Sequence, residues 1–215
     1  VRAQKINAAR AAKPRVDHFA KGTAIGEVAT ADTMGPFRSD LLGNTHFHVV
    51  EDDASSYGLA VGTNNKGRSV PILRDHLNAA AAQGHTVYTV RVDYGTDFSK
   101  NNEVRRFLAE RRVQLESAHA EGHQQIACAE GRIGRIKRIA RAICAYNNMP
   151  GAAVATPLIM AANHADNLRV RKGEETSPYT KWHGRRSLAT TIAPFDEYIL
   201  RKLKQESGPM MYPAL

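Results

Sequence analysis

Three short runs with strand propensity follow one another in the first third of the chain, and this feature restricts the folds that the sequence can adopt. They cover residues 27–32, 45–50 and 57–62, are rich in Val, Phe and Ala, and are separated by Gly, Asn and Asp. Runs of this kind between turn residues predict neighbouring strands joined by short connections. We therefore expect a sheet that begins as a meander.

Beyond these runs the pattern alternates between helix and strand. Helical spacing of apolar residues covers 69–82, 102–112, 125–146 and 150–168, and strand runs cover 86–92 and 113–118. The predicted order is βββαβαβαα, which is typical of an α/β domain with a mixed five-stranded sheet flanked by helices. We assign this domain to residues 25–200 and a C-terminal tail to residues 201–215.

Residues 1–24 are predicted to form a basic N-terminal arm or linker, because they are polar and lack an apolar period. Residues 1–15 are rich in Arg and Ala and contain no acidic residue. Two interpretations fit this composition. The segment is either the remnant of a mitochondrial presequence or a basic arm that lies on nucleic acid.

The charge balance favours an acidic partner. The 215 residues include 30 Lys and Arg against 21 Asp and Glu, a net charge of +9, and the basic residues are spread along the chain. This distribution favours DNA or RNA, although an ordinary basic protein has the same balance. No apolar run reaches the roughly 18 residues of a membrane span, so we expect no membrane partner.

The cysteine content predicts neither a disulfide framework nor a structural zinc site. The two cysteines, Cys128 and Cys144, belong to no CxxC pair and to no Cys/His spacing typical of zinc. A chain with this cysteine usage suits a reducing compartment, and we do not expect it to be secreted.

Three acidic residues fall at the predicted ends of elements. Asp32 closes the first strand, Asp93 closes the fourth, and Glu130 lies on the long helix. Neighbouring strands would bring Asp32 and Asp93 together, and a helix packed across them would add Glu130. Such a cluster is costly without a cation, and Mg²⁺ prefers carboxylate oxygens. The alternative is that the aspartates form turns or cap helices.

Several motifs around these acids resemble the integrase core of copia-type long-terminal-repeat retrotransposons. Residues 32–37 (DTMGPF) are similar to its D-x-x-G-P signature, and residues 92–98 (VDYGTDF) to its S-D-N-G-x-E-F. In residues 124–131 (QQIACAEG), Glu130 falls on the catalytic Glu of the family. Further matches are residues 43–57 (GNTHFHVVEDDASSY), Asn167, and residues 177–186 (SPYTKWHGRR).

The resemblance implies a ribonuclease H-like fold and a metal-dependent polynucleotidyl transferase of the retroviral integrase superfamily. Asp32, Asp93 and Glu130 would hold two Mg²⁺ or Mn²⁺ ions for 3′-end processing and DNA strand transfer. It further implies a homo-oligomer, because two DNA ends are joined together, and a nuclear location. These integrases usually carry an upstream His/His/Cys/Cys zinc module. Before Asp32 this sequence has His18 as its only His, and no Cys.

Departures from the family pattern support a second hypothesis. Ile126 and Ala127 replace an Asn-Gly pair before the helix, Gly131 replaces an Arg, and Tyr94 replaces an Asn. These changes suit a domesticated, catalytically silent copy. Such a module would bind RNA or DNA as a structural subunit of a larger ribonucleoprotein, such as a mitochondrial or other organellar ribosome.

The long helix carries the residues that we expect to contact nucleic acid. At 100° per residue, Lys137 and Arg141 lie within about 40° of Glu130. A buried stripe of isoleucines occupies another face. The predicted phosphate contacts are Arg132, Lys137, Arg138 and Arg141, and the alternative is a solvated charged face.

Overall fold

A mixed five-stranded sheet forms the centre of the structure. The computed structural model describes residues 22–93, 98–118, 127–148 and 151–187. The strands are β1 (Val28–Met34), β2 (His46–Asp52), β3 (Gly58–Thr63), β4 (Thr89–Asp93) and β5 (Gln114–Ala118). The helices are α1 (Val70–Ala82), α2 (Asn102–Glu110), α3 (Ala127–Asn147), α4 (Ala155–Leu168) and α5 (Pro178–His183).

The strand order in the sheet is β3-β2-β1-β4-β5. The first three strands pair antiparallel, as the meander pattern predicts, with Ala31 opposite Val50 and Val50 opposite Leu59. The pairs β1–β4 and β4–β5 are parallel. The mixed α/β sheet expected from the sequence is therefore confirmed.

Helices cover both faces of the sheet. On one face, α1 and α2 pack on a core that includes Ala31, Val50 and Val92. On the other face, α3 and α4 pack on Met34, Phe47 and Val49 from β1 and β2. Because successive side chains of a strand point to opposite faces, the residue that follows Ala31 or Val92 faces α3 and α4. This alternation places the site described below.

The short helix α5 was not expected from the sequence. Its six residues begin after Ser177, whose hydroxyl accepts a hydrogen bond from Thr180 N, and end at Gly184, which has a left-handed φ of 64°. Trp182 is 1% exposed and stacks on Tyr57 with ring centroids 5.0 Å apart. Trp182 is thus a packing anchor of the α1 side of the core.

The observed element ends differ by a few residues from the predicted ones. β1 continues two residues beyond Asp32, to Met34, so Asp32 does not close its strand. The predicted arm lies outside the described residues except for 22–24, as do the tail 201–215 and residues 188–200 of the predicted domain. None of the described helices combines the length and the apolarity that a bilayer crossing requires.

Candidate active site and nucleic-acid interface

Two of the three predicted metal ligands occupy neighbouring positions of parallel strands. The register pairs Ala31 with Val92, so Asp32 and Asp93 follow one residue later on β1 and β4. Ala31 and Val92 belong to the α1 side of the core, and strand alternation therefore directs both aspartates to the face that α3 covers. Asp93 is exposed, while Asp32 is half-buried and its Oδ1 accepts a hydrogen bond of 2.7 Å from Thr33 N.

Glu130 lies in the first turn of α3 and is exposed. The helix packs on β1 and β2, so Glu130 approaches the sheet from the same side as the two aspartates. Within the described ranges, however, no group of three His, Cys, Asp or Glu side chains is placed to hold a metal ion. The structure thus brings Asp32 and Asp93 together, and it does not bring all three carboxylates into one group.

Arg132 does not lie on the surface, which corrects its assignment as a phosphate contact. Its side chain is 0% exposed and forms an ion pair with Asp166 at 3.5 Å. The guanidinium also donates hydrogen bonds to the carbonyl oxygens of Ser56 (2.9 Å) and Gly58 (3.1 Å). These groups enclose the guanidinium, so this arginine is a structural part of the interior.

Arg132 belongs to a cluster of charged residues between the sheet and the two helices on that face. We call it the arginine cluster, and its members are Arg132, Arg135, Arg171, Glu51 and Asp166. Arg135 bonds Glu51 at 2.9 Å and Asp166 at 3.0 Å, and Arg171 lies within 3.6 Å of Glu51. Burial lowers the pKa of Arg132 to about 10, against the opposing attraction of Glu51 and Asp166.

Two asparagines of α4 complete the surroundings of Arg132. Asn163 and Asn167 each accept a hydrogen bond of 2.6 Å from its guanidinium and donate to the carbonyl of Gly58. A Cβ on Gly58 would lie 2.6 Å from Arg132 Nε and 2.5 Å from the carbonyl of Val50. Asn167, one of the motif residues, therefore supplies a hydrogen-bond acceptor for the buried arginine. Gly58 leaves the space that the guanidinium occupies.

The remaining predicted phosphate contacts are accessible. Arg138 and Arg141 are exposed on α3, and Lys137 is half-buried. Lys137 and Arg141 line a groove of about 520 Å³ between α3, the connection from β1 to β2, and the start of α4. Arg38 adds a third cation to this groove, whose floor is apolar.

Phe37 is the aromatic residue at the rim of the groove. Its ring lies edge-on to Phe47, with centroids 5.7 Å apart, and the Lys137 ammonium is 5.8 Å from the ring centroid. The Phe37 backbone N–H donates a hydrogen bond of 2.7 Å to Thr45 O. Gly35 allows this close approach, because it has a φ of 136° and a Cβ there would lie 2.9 Å from the same carbonyl.

Asp40 joins the β1–β2 connection to α4. Its carboxylate accepts hydrogen bonds from the backbone N–H groups of Leu42 (3.0 Å), Asn44 (2.9 Å) and Thr156 (2.8 Å), and from the Thr156 hydroxyl. Thr156 lies in the first turn of α4, where backbone N–H groups lack partners within the helix. Asp40 thus caps α4 and holds the segment that carries Phe37.

We expect Asp40→Ala to lower the free energy of unfolding by about 2 kcal/mol, because a helix cap and two loop hydrogen bonds are lost together. Urea denaturation followed by circular dichroism measures the change. Asp75→Ala removes an exposed aspartate from α1 and is the matched control. Equal stability of the two variants would contradict the capping role of Asp40.

Comparison with solved structures identifies the fold. One match is a chain in the cryo-EM structure of the simian T-cell lymphotropic virus intasome in complex with PP2A regulatory subunit B56 gamma. It has a TM-score of 0.62 and 16% identity, over 82% of this chain and 61% of that chain. A second, with a TM-score of 0.57 and 16% identity, is the HTLV-2 integrase catalytic core domain in complex with magnesium, in a trimeric form. The chain has the fold of an integrase catalytic core.

This result confirms the ribonuclease H-like fold that the motifs implied. The HTLV-2 match covers 76% of this chain and 100% of that chain, so it includes that whole catalytic core domain. No protein-family model matches the sequence, and no curated protein matches it. The assignment to the copia type stays a prediction from the motifs.

Phe37, Arg38 and Asp40 were not predicted from the sequence to be parts of a site. Phe37 follows the D-x-x-G-P motif, but its partner Lys137 is a hundred positions away in the chain. Only the packing of α3 against the β1–β2 connection brings these residues together. An Asp two to four residues before backbone N–H donors is a local signal for a turn, but not for a cap on a distant helix.

Proposed function

We propose that this chain is the catalytic core of a copia-type retrotransposon integrase, a metal-dependent polynucleotidyl transferase that processes 3′ DNA ends and joins them to target DNA. The adjacent positions of Asp32 and Asp93, on the sheet face that α3 covers, are the main support. The integrase fold and the six motifs around the carboxylates agree with this proposal.

In this proposal the acidic residues bind the metal ions and the basic residues bind DNA phosphates. Asp32 and Asp93 present oxygen ligands from neighbouring strands, and Glu130 adds a third carboxylate from the first turn of α3. Lys137, Arg138 and Arg141 lie farther along the same helix, where their charges would hold the phosphates beside the reacting one. This arrangement aligns a DNA end with the carboxylates and excludes other orientations.

The donor set suits hard divalent cations. Carboxylate oxygens are the ligands that Mg²⁺ and Mn²⁺ prefer, and Asp32 and Asp93 supply them side by side. A pair of such ions activates the attacking oxygen and stabilises the leaving one in phosphoryl transfer. Glu130 would add the third carboxylate from the first turn of α3.

Two further properties belong to this proposal. An integrase joins two DNA ends together, so the active form would be a homo-oligomer that acts in the nucleus. The HTLV-2 catalytic core was solved in a trimeric form. That observation agrees with oligomerisation without fixing the number of subunits in this protein.

The second candidate is a domesticated, catalytically silent module that binds RNA or DNA inside a larger assembly, such as an organellar ribosome. The replacement of the Asn-Gly pair by Ile126 and Ala127, and of the Arg after Glu130 by Gly131, favours it. The exposed basic residues of α3 would serve this function equally well. The two candidates differ in one property, which is metal-dependent chemistry.

Activity on a short DNA duplex tests the proposal. The wild-type chain is expected to nick and join the duplex in Mg²⁺ or Mn²⁺ and to lose this activity in EDTA. Asp93→Asn removes a negative charge and a ligand while keeping the shape, so we expect a loss of at least about a hundredfold. Joined products are measured on a denaturing gel.

Asp75→Asn is the matched control, because Asp75 is an exposed aspartate on α1, on the opposite face of the sheet. We expect it to join DNA at the wild-type rate. Absence of joining in the wild type under both metals, with salt-sensitive nucleic-acid binding in all three proteins, would favour the silent module.

A further inference from the structure

The groove beside Phe37 combines a cationic lining, an apolar floor and an exposed aromatic rim. Its lining carries the cations Arg38, Lys137 and Arg141 and, as far as the structure describes it, no carboxylate. Its floor is apolar, with Phe47, Leu158 and Ile159 among its residues. The rim residue Phe37 is 38% exposed.

We propose that this groove binds an unpaired nucleotide of a nucleic-acid strand, with its base against Phe37 and its flanking phosphates on Arg38 and Arg141. An aromatic ring beside a cationic track is the arrangement by which proteins bind single strands, because every base has a π-face. Paired bases are stacked inside a duplex and do not present this face. The inference rests on the nucleic-acid partner of the proposed function and specifies the state of the strand.

The size and the charge of the groove agree with this occupant. Its volume of about 520 Å³ falls in the range of pockets that enclose a small organic ligand. The cations match phosphates, while the apolar floor suits the body of a base rather than a hydrated ion. A purely apolar partner would leave the charges of Arg38 and Arg141 without a counterpart.

The groove also lies at a useful distance from the candidate active site. Lys137 and Arg141 follow Glu130 by seven and eleven residues on α3. At 1.5 Å per residue these steps correspond to about 10 and 16 Å along the helix axis. A DNA end in B-form geometry advances 3.4 Å per nucleotide along its axis and covers this distance in roughly three to five nucleotides. An unpaired nucleotide near a DNA end would thus reach the groove while the end lies at the carboxylates.

The orientation of Phe37 is set before any ligand binds. Phe47 fixes its ring edge-on, the Thr45 carbonyl holds its backbone, and Asp40 ties the segment to α4. A ring held in this way loses little conformational entropy on binding, which favours affinity. Phe37 is therefore a positioned platform and not a side chain that must be ordered by the ligand.

The test compares the binding of fluorescent oligonucleotides of one length, single-stranded or blunt duplex, by fluorescence anisotropy in EDTA. Phe37→Leu keeps the apolar volume and removes the π-face. We expect it to weaken single-strand binding by about 5- to 150-fold and to leave duplex binding unchanged. Phe37→Tyr restores the ring and is expected to restore binding. Tyr146→Leu removes a 90% exposed aromatic residue from α3, the helix that carries Lys137 and Arg141, and serves as the matched control.

The phosphate contacts are tested by salt dependence. Arg141→Gln is expected to lower the slope of log affinity against log salt for the single strand by about 0.7, the value for one lost phosphate contact. Arg169→Gln removes an exposed arginine after the end of α4 and should leave the slope at the wild-type value.

Two results would overturn the inference. One is an equal loss of single-strand and duplex binding, or no loss, in Phe37→Leu. The other is a change of oligomeric state in sedimentation velocity with single-strand binding intact, which would make the groove an interface between copies of the chain. Because binding is measured in EDTA, a failure of metal-dependent joining bears on the proposed function and leaves this test unaffected.

Discussion

Arg132→Ala is expected to lower the free energy of unfolding by about 3–5 kcal/mol, the cost of removing one partner from a buried ion pair. The substitution deletes the cation that faces Asp166, so a negative charge that is 2% exposed loses one of its three arginines. It also leaves the carbonyl of Ser56 and the side chain of Asn163 short of a donor, and it opens a cavity between α3 and α4.

Chemical denaturation followed by circular dichroism measures this loss. Arg138→Ala is the control, because Arg138 has the same side chain on the same helix but is exposed. Its stability should remain within about 0.5 kcal/mol of the wild type. If the two variants unfold at the same denaturant concentration, the arginine cluster does not hold α3 and α4 on the sheet as described.

Glu130→Gln is expected to reduce DNA joining by at least about a hundredfold and to change stability little. The substitution keeps the length and shape of the side chain but removes the negative charge of a metal ligand. Glu130 is exposed in the first turn of α3, where its only general contribution to folding is the interaction with the helix dipole, about 0.3–1 kcal/mol. Joined products and the urea midpoint are measured on the same protein preparation.

Glu103→Gln is a close control for this experiment. Glu103 is also an exposed glutamate in the first turn of a helix, α2, which lies on the other face of the sheet. Glu103→Gln removes the same kind of interaction with a helix dipole as Glu130→Gln does, and it leaves the candidate site intact. A parallel decrease of joining in both variants would mean that Glu130 acts through α3 stability and not through a metal.

The order of the elements was predictable because each one carries its own periodicity. The three strands of the meander and the four longer helices follow from alternation and helical spacing, with ends that differ by a few residues from those observed. The six-residue helix α5 was missed, since two turns carry too little periodicity to be recognised. Its Ser177 cap and Gly184 end would have been the available local signals.

The prediction for Arg132 failed for a different reason. A helical wheel separates the isoleucine stripe of α3 from its charged flanks, but it does not show which flank another helix covers. Here α4 presents Asn163, Asp166 and Asn167 to α3, and their polar side chains accept an arginine in the interior. The contact between α3 and α4 determines the role of Arg132, and the sequence of α3 alone does not indicate that contact.

The candidate site was predictable in part. The parallel pairing of β1 and β4 brings Asp32 and Asp93 together, as expected for strands that meet at one edge of the sheet. The position of Glu130 relative to them depends on how α3 is placed along the sheet, which tertiary packing determines. The groove at Phe37 could not be predicted because its two walls come from segments about a hundred residues apart in the chain.

The two neighbouring charged residues at the start of α3 should respond differently to mutation over time. Arg132 is held by the interior, so its loss alone is costly to folding whether or not the protein processes DNA. Glu130 lies on the surface, two residues earlier, and folding imposes almost no constraint on it. In a lineage no longer selected for DNA joining, we therefore expect substitutions to accumulate at Glu130 earlier than at Arg132.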